Sequence, residues 1–214
     1  FENNGSPTSA ELWQRHLITS DLPGAYDVAV ADFDGDGDLD VAASSWVLGN
    51  QFAWFENDGT PGSGEWKKHI VEKDVAETRT MRAADFDGDG DADLLGTGRK
   101  VHHVIWYENH RQGDAVAWKK HLIDDSSPCP AHGNPVDMDG DGDLDVVMAL
   151  GFYYRPGSND PAASLRPQDN QVAWYENNGT PAAGPWKKHI IGPRFDDAFE
   201  AIAGDLDGDG DIDV

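Results

Sequence analysis

The chain has a single cysteine, Cys129, among 214 residues, so an internal disulfide is excluded, and the count fits any redox compartment. Cations are also scarce. Sixteen Lys and Arg stand against 40 Asp and Glu, a formal charge of −24. A surface of that sign repels phosphate backbones and anionic lipid, which excludes nucleic acid as a partner. No apolar run approaches the ~18 residues of a membrane helix, and no charged-then-apolar leader opens the sequence. The i, i+3, i+4 apolar spacing of amphipathic helices is missing. So are GxSxG, HExxH and phosphate-loop motifs, and no catalysis is assigned. What is present is 10% aromatic residues, eight Trp among them, with 24 Gly and 12 Pro. Those aromatics can build a core, the Gly and Pro supply turns, and the fold class that follows is all-β.

Self-comparison organises the chain, because a fixed period of 20 to 50 residues marks a repeat architecture. Three markers recur in order. Acidic loops begin at Asp32, Asp85, Asp137 and Asp205, with spacings of 53, 52 and 68. WFEN at Trp54 recurs as WYEN at Trp106 and Trp174, and Phe1 to Gly5 is a truncated copy. WQRHLI at Trp13 recurs as WKKHIV, WKKHLI and WKKHII at Trp66, Trp118 and Trp186. Each period holds four short runs of strand character, in the first copy near 26–31, 39–46, 52–57 and 65–71. Four antiparallel strands in about 50 residues is the size of a β-propeller blade. The expected layout is one repeat domain: a partial blade at 1–25, repeats at 26–77, 78–130 and 131–197, and a partial blade at 198–214. An insertion at 151–170 accounts for the long third interval. About four blades are thus present, as part of a propeller of about seven blades or of an array. The alternative is a four-bladed ring closed by pairing both ends.

Each loop reads DxDGDGDxD. Carboxylates at positions 1, 3, 5 and 9 can converge on one cation, position 7 can add its backbone carbonyl, and the glycines permit the tight turn. Hard oxygen donors in this number select Ca²⁺. The four sets are Asp32, Asp34, Asp36, Asp40 with Asp38; Asp85, Asp87, Asp89, Asp93 with Asp91; Asp137, Asp139, Asp141, Asp145 with Asp143; and Asp205, Asp207, Asp209, Asp213 with Asp211. An EF-hand would need Glu at position 12, where Ala43, Gly96 and Met148 stand. The expectation is about four Ca²⁺, one per loop.

On these loops the chain resembles the FG-GAP or VCBS repeat family over essentially its whole length. Similar repeats form the propeller of integrin α subunits, a fungal lectin, and the scaffolds of several bacterial polysaccharide lyases and a sugar dehydratase. The resemblance implies that Ca²⁺ rigidifies each blade away from the ligand, and it does not fix an activity.

Positions common to all copies read as blade structure: His16, His69, His121 and His189, with Glu2, Glu56, Glu108 and Glu176. Departures mark candidate function. Five residues before each loop, on the strand expected to line the channel, stand Asp27, Thr80, His132 and Glu200. His132 follows Cys129 by three residues, too few ligands for zinc. The insertion brings Phe152, Tyr153, Tyr154, Arg155 and Arg166, expected on the same face as His132, Arg79, Arg99, His102 and His103 and opposite the calcium loops. Aromatic faces stack on sugars and Arg pairs with carboxylate or sulfate, so a glycan is the expected ligand, with Phe152, Tyr153, Tyr154, Arg155, Arg166, His132, Arg99 and His102 as candidates. The function expected is a calcium-stabilised module of an extracellular, cell-surface or periplasmic protein, serving adhesion, glycan or protein binding, or assembly. One alternative is a polysaccharide lyase or sugar dehydratase using His132, Tyr153 and Arg155. Another is a self-assembling subunit of a fibre or surface layer. Sequons at Asn4 and Asn178 coincide with expected hairpin turns.

Overall fold

The computed structural model describes residues 1–3, 5, 8–9, 13–62, 66–113, 115–152 and 170–214. Among them are fourteen strands and no helix, hence none long and apolar enough to cross a membrane. β1 (Glu2–Asn3) pairs with β2 (Trp13–Gln14), and three four-stranded antiparallel sheets follow. The first is β3 (Ala25–Ala31), β4 (Asp40–Ser45), β5 (Gln51–Glu56) and β6 (Lys67–Lys73). The second is β7 (Thr78–Ala84), β8 (Asp93–Gly98), β9 (His103–Gln112) and β10 (Ala115–Asp124). The third is β11 (Gly133–Val136), β12 (Asp145–Leu150), β13 (Gln171–Glu176) and β14 (Lys187–Gly192). Strands neighbour in chain order, as the repeat pattern predicts. An antiparallel bridge between Gly204 and Asp213 begins one more unit, and His132 and Glu200 bridge in parallel.

The middle strands β8 and β12 are buried at every position. They read as unbroken small and apolar runs because both sheet faces are covered. Leu94, Ile105 and Tyr107 of the second sheet pack on Ala42, Phe52 and Trp54 of the first, while Leu95, Val104 and Trp106 face Val146, Met148 and Tyr175 of the third. Room between sheets is tight: a Cβ at Gly96 would stand 2.8 Å from the Phe52 ring. The outer strand β6 instead has no buried residue, and Lys67 and Lys73 at its ends are exposed.

Alternation along the fourth strand splits the two lysines of WKKH. Lys67, Lys119 and Lys187 reach the Glu of their own third strand, at 2.9, 3.1 and 3.0 Å from Glu56, Glu108 and Glu176. Lys68, Lys120 and Lys188 emerge on the other face and pair with an acid of the preceding repeat, Asp21, Glu72 and Asp124. Tyr107 and Tyr175 donate their hydroxyls to the same Glu72 and Asp124. The shared histidines are structural, as their recurrence implies. His69, His121 and His189 stack on Trp54, Trp106 and Trp174 at 4.3, 4.4 and 4.3 Å and hydrogen-bond Glu56, Glu108 and Glu176.

Candidate metal centres and the axial cluster

All four acidic loops repeat one set of internal bonds. In the first, Gly35 and Gly37 N–H donate to the two oxygens of Asp32, at 2.7 and 3.0 Å. Asp36 N–H donates to Asp34, and Asp38 N–H to Asp36. Both glycines take positive φ, +76° and +96°, a region that L side chains avoid. That turn folds the loop so that carboxylates converge. Oxygens of Asp32, Asp34 and Asp36 lie within 4.8 Å of one another, as do those of Asp85, Asp87, Asp93, of Asp137, Asp139, Asp145, and of Asp205, Asp207, Asp213. Three of the four expected side-chain ligands are therefore brought together in every loop. The first loop clusters its first, third and fifth acids and the other three their first, third and ninth, and in every loop the fifth acid also accepts the N–H of the seventh residue. The seventh side chains turn elsewhere: Asp38 and Asp143 abut Gly59 and Gly179 of the next hairpin, and Asp91 pairs with Arg111.

The ninth residue is the hub. Asp40 is fully buried and accepts Phe33 N–H at 3.0 Å and Asn57 N–H at 2.8 Å. Asp93 and Asp145 hold the same place. Burial raises all three carboxyls, to about 6, 7 and 6 for Asp40, Asp93 and Asp145; the N–H bonds oppose this, and neighbouring carboxylates add to it. Asp34 and Asp87 are raised too, again mainly by burial. A divalent cation reverses this by favouring the ionised forms. The donor set is oxygen alone, with three clustered carboxylates and a spare carbonyl, and it fits Ca²⁺.

Each loop is also tied to the next repeat. Phe33 is packed between Trp54 of its own sheet, at 6.0 Å, and Trp118 of the next, at 5.8 Å. Phe86 lies likewise between Trp106 and Trp186, both at 6.2 Å. Asn109 Nδ2 donates to Phe33 O at 2.9 Å, and Asn177 Nδ2 donates to Phe86 O at 3.3 Å.

The first strands of the repeats meet around Arg82, three residues before the second acidic loop. Its guanidinium donates to Asp27 of β3 at 2.5 Å, Asn134 of β11 at 2.9 Å and Glu200 of the last unit at 3.0 Å. His132 Nδ1 stands 3.4 Å from Asp27, and its Nε2 3.4 Å from the Tyr26 hydroxyl. Asp27, His132 and Glu200 therefore do converge. Thr80 does not: it is buried, and its hydroxyl donates to Ala131 O. Arg82 itself escaped the sequence reading; its signal was a lone cation where the other copies carry Ala29, Asn134 and Ile202.

The remaining candidates divide. Arg99 is buried, pairs with Glu77 at 2.7 Å and donates to Phe152 O, so it holds the chain where the insertion begins. His102 Nδ1 accepts the N–H of buried Cys129. Arg79 is buried over the rings of Tyr26, Trp46 and Phe152. His103 is half-buried at the head of β9. Tyr153, Tyr154, Arg155 and Arg166 lie outside the described residues, as does Asn4. Asn178 Oδ1 accepts both the N–H and the hydroxyl of Thr180, which uses the sequon as a turn. Among the described residues the four acidic loops are the groups of three or more metal-ligating side chains, and Cys129 and His132 join none.

A family model of FG-GAP-like repeats matches residues 85–148 and 157–214. Cartilage acidic protein 1 of Xenopus tropicalis is 24% identical over 168 residues, which cover 71% of this chain and 24% of that protein. The chain thus spans about a quarter of that relative's length.

Proposed function

The chain belongs to the FG-GAP-like repeat family, and on that premise we propose that it is a calcium-stabilised β-propeller module of an extracellular or cell-surface protein, serving adhesion, ligand binding or assembly. One observation carries the calcium reading: carboxylate oxygens of three Asp stand within 4.8 Å of one another in all four loops. The ion would be held by the first, third, fifth and ninth Asp and the seventh carbonyl, and its chemistry there is charge neutralisation. Loops of this kind fill where Ca²⁺ is abundant, at affinities of roughly 10⁻⁴ to 10⁻³ M, which supports an extracellular setting. A relative named for cartilage agrees with it. Support for further blades comes from Val28, 57% exposed at the place where Met81 is buried against the preceding sheet. Calorimetric titration with Ca²⁺, together with melting curves, tests the reading; no uptake and no rise in melting temperature would remove it.

The ligand surface is the end remote from the loops, where Tyr26, Trp46, Leu48 and Phe199 are exposed beside Phe152. Its aromatic faces suit a glycan or an extracellular protein. Glycan-array binding that is lost in Trp46→Ala but retains Ca²⁺ uptake supports this surface, and unchanged binding in that variant sinks it. The line Asp27–His132–Tyr26 favours a second reading, a polysaccharide lyase or sugar dehydratase. His132, only 5% exposed between the Tyr26 and Phe199 rings, weighs against it. Ultraviolet-absorbing unsaturated product from acidic polysaccharide would decide for the enzyme.

A further inference from the structure

The bonds that leave each acidic loop form one continuous chain through three repeats. Phe33 N–H donates to Asp40, and Phe33 O accepts the side-chain amide of Asn109. Asn109 N–H donates to Asp93 at 2.8 Å, and Asp93 also accepts Phe86 N–H. Phe86 O accepts the amide of Asn177, whose N–H donates to Asp145 at 2.7 Å. The same Asn109 amide donates to Ala92 O, and that of Asn177 to Leu144 O, so each Asn grips its own loop as it holds the preceding one. Both Asn residues are buried, 1% and 2% exposed, where water cannot replace these bonds.

We propose that Asn109 and Asn177 are coupling residues that make Ca²⁺ loading of neighbouring loops cooperative, loop 1 with loop 2 through Asn109 and loop 2 with loop 3 through Asn177. The inference rests on the calcium reading above. Five Asp in nine residues repel one another, so an unloaded loop resists the compact turn that a cation needs. Loading loop 2 fixes Asp93, Asp93 fixes Asn109, and Asn109 holds Phe33, the second residue of loop 1, in its loaded place. The ordering cost of loop 1 is then partly met before its own ion arrives. Linkage makes the effect reciprocal.

Ca²⁺ titration of ¹⁵N-glycine-labelled full chain reads the loops separately, because Gly37, Gly90 and Gly142 N–H each donate to the first Asp of their own loop. Asp87→Asn weakens loop 2, and the midpoint at Gly37 is then expected to rise by about fivefold, the lower range of coupling between sites. In Asn109→Ala the same Asp87→Asn change should leave Gly37 unmoved, while Gly142 still responds through Asn177. Asn177→Ala gives the mirror result and guards against one variant failing to fold. Titrations at ~1 M KCl, where the Debye length is about 3 Å, remove through-space repulsion between loops and keep the relay. A Gly37 midpoint indifferent to Asp87→Asn, or shifted equally with and without Asn109, overturns the coupling and leaves calcium binding standing. No glycine shift at ~10 mM Ca²⁺, well above extracellular affinities, overturns the calcium reading itself.

Discussion

Arg82 joins the first strands of three repeats and the start of a fourth, which makes Arg82→Met a sharp test of how they are held together. Met keeps the apolar stem and removes the bonds to Asp27, Asn134, Glu200 and Met81 O. Glu200, with a side chain 45% exposed, is screened by water, and its share is small. Asp27, 21% exposed, lies between the surface pairs worth 0 to 1 kcal/mol and the buried ones that cost about 3–5 kcal/mol to break. A loss of about 2–3 kcal/mol follows, or about 4–12 °C in melting temperature for a chain of this size. Urea unfolding in saturating Ca²⁺ measures it. The pH dependence has a definite sign. Burial pushes the Asp27 carboxyl up, but bonds from His132, Met81 N–H and Arg82 outweigh it and hold the group below its ordinary range. Its stabilisation is therefore full at neutral pH and is lost as pH falls through the depressed folded value. Without Arg82 the buried carboxylate loses a partner and regains protons more easily, so the deficit is largest near pH 7 and narrows below about pH 4. A deficit under about 0.5 kcal/mol, or one that widens in acid, refutes the clamp.

Asp40, Asp93 and Asp145 carry raised folded values of about 6 to 7, so without Ca²⁺ the stability these three contribute is full in mild acid and is lost as pH climbs from about 4 through 7, against the lowered carboxyls such as Asp27. Melting in EDTA at several pH values measures this, and calorimetry in buffers of differing ionisation heat should show Ca²⁺ uptake releasing protons near pH 6. Phe33→Ala, at a side chain 1% exposed and packed between two Trp, should cost about 3–5 kcal/mol in urea unfolding, while Leu206→Ala at the equivalent place, 77% exposed, should cost under about 0.5 kcal/mol. A Cβ at Gly35 would strike the Arg111 guanidinium of the next repeat, whereas Gly140 has open space. Gly35→Ala should thus destabilise more than Gly140→Ala, although both strain a positive φ, and the difference should vanish in an Arg111→Ala background when melting temperatures are compared.

What the sequence showed clearly was whatever repeats, because repetition separates a residue's role from its neighbours by comparison within one chain. Trp54, His69 and Glu56 recur together, and they are in contact. The acidic loops recur, and their carboxylates converge. Contacts between repeats were harder to see for a geometric reason. Asn109 recurs as faithfully as Glu108, yet its partner Phe33 lies 76 residues away, in a different copy of the pattern. A period-by-period reading aligns Asn with Asn and never sets it against the Phe it binds. The same holds for the second lysine of WKKH, which side-chain alternation along a strand sends to the previous repeat. Arg99 was placed by connectivity on the face of the insertion, and its burial against Glu77, a contact within one repeat, has no counterpart in the other copies by which recurrence could reveal it. In a stacked repeat, the residues that bind one unit to the next are conspicuous by recurrence but anonymous in role, and here Asn109 and Asn177 are also the ones that join one acidic loop to the next.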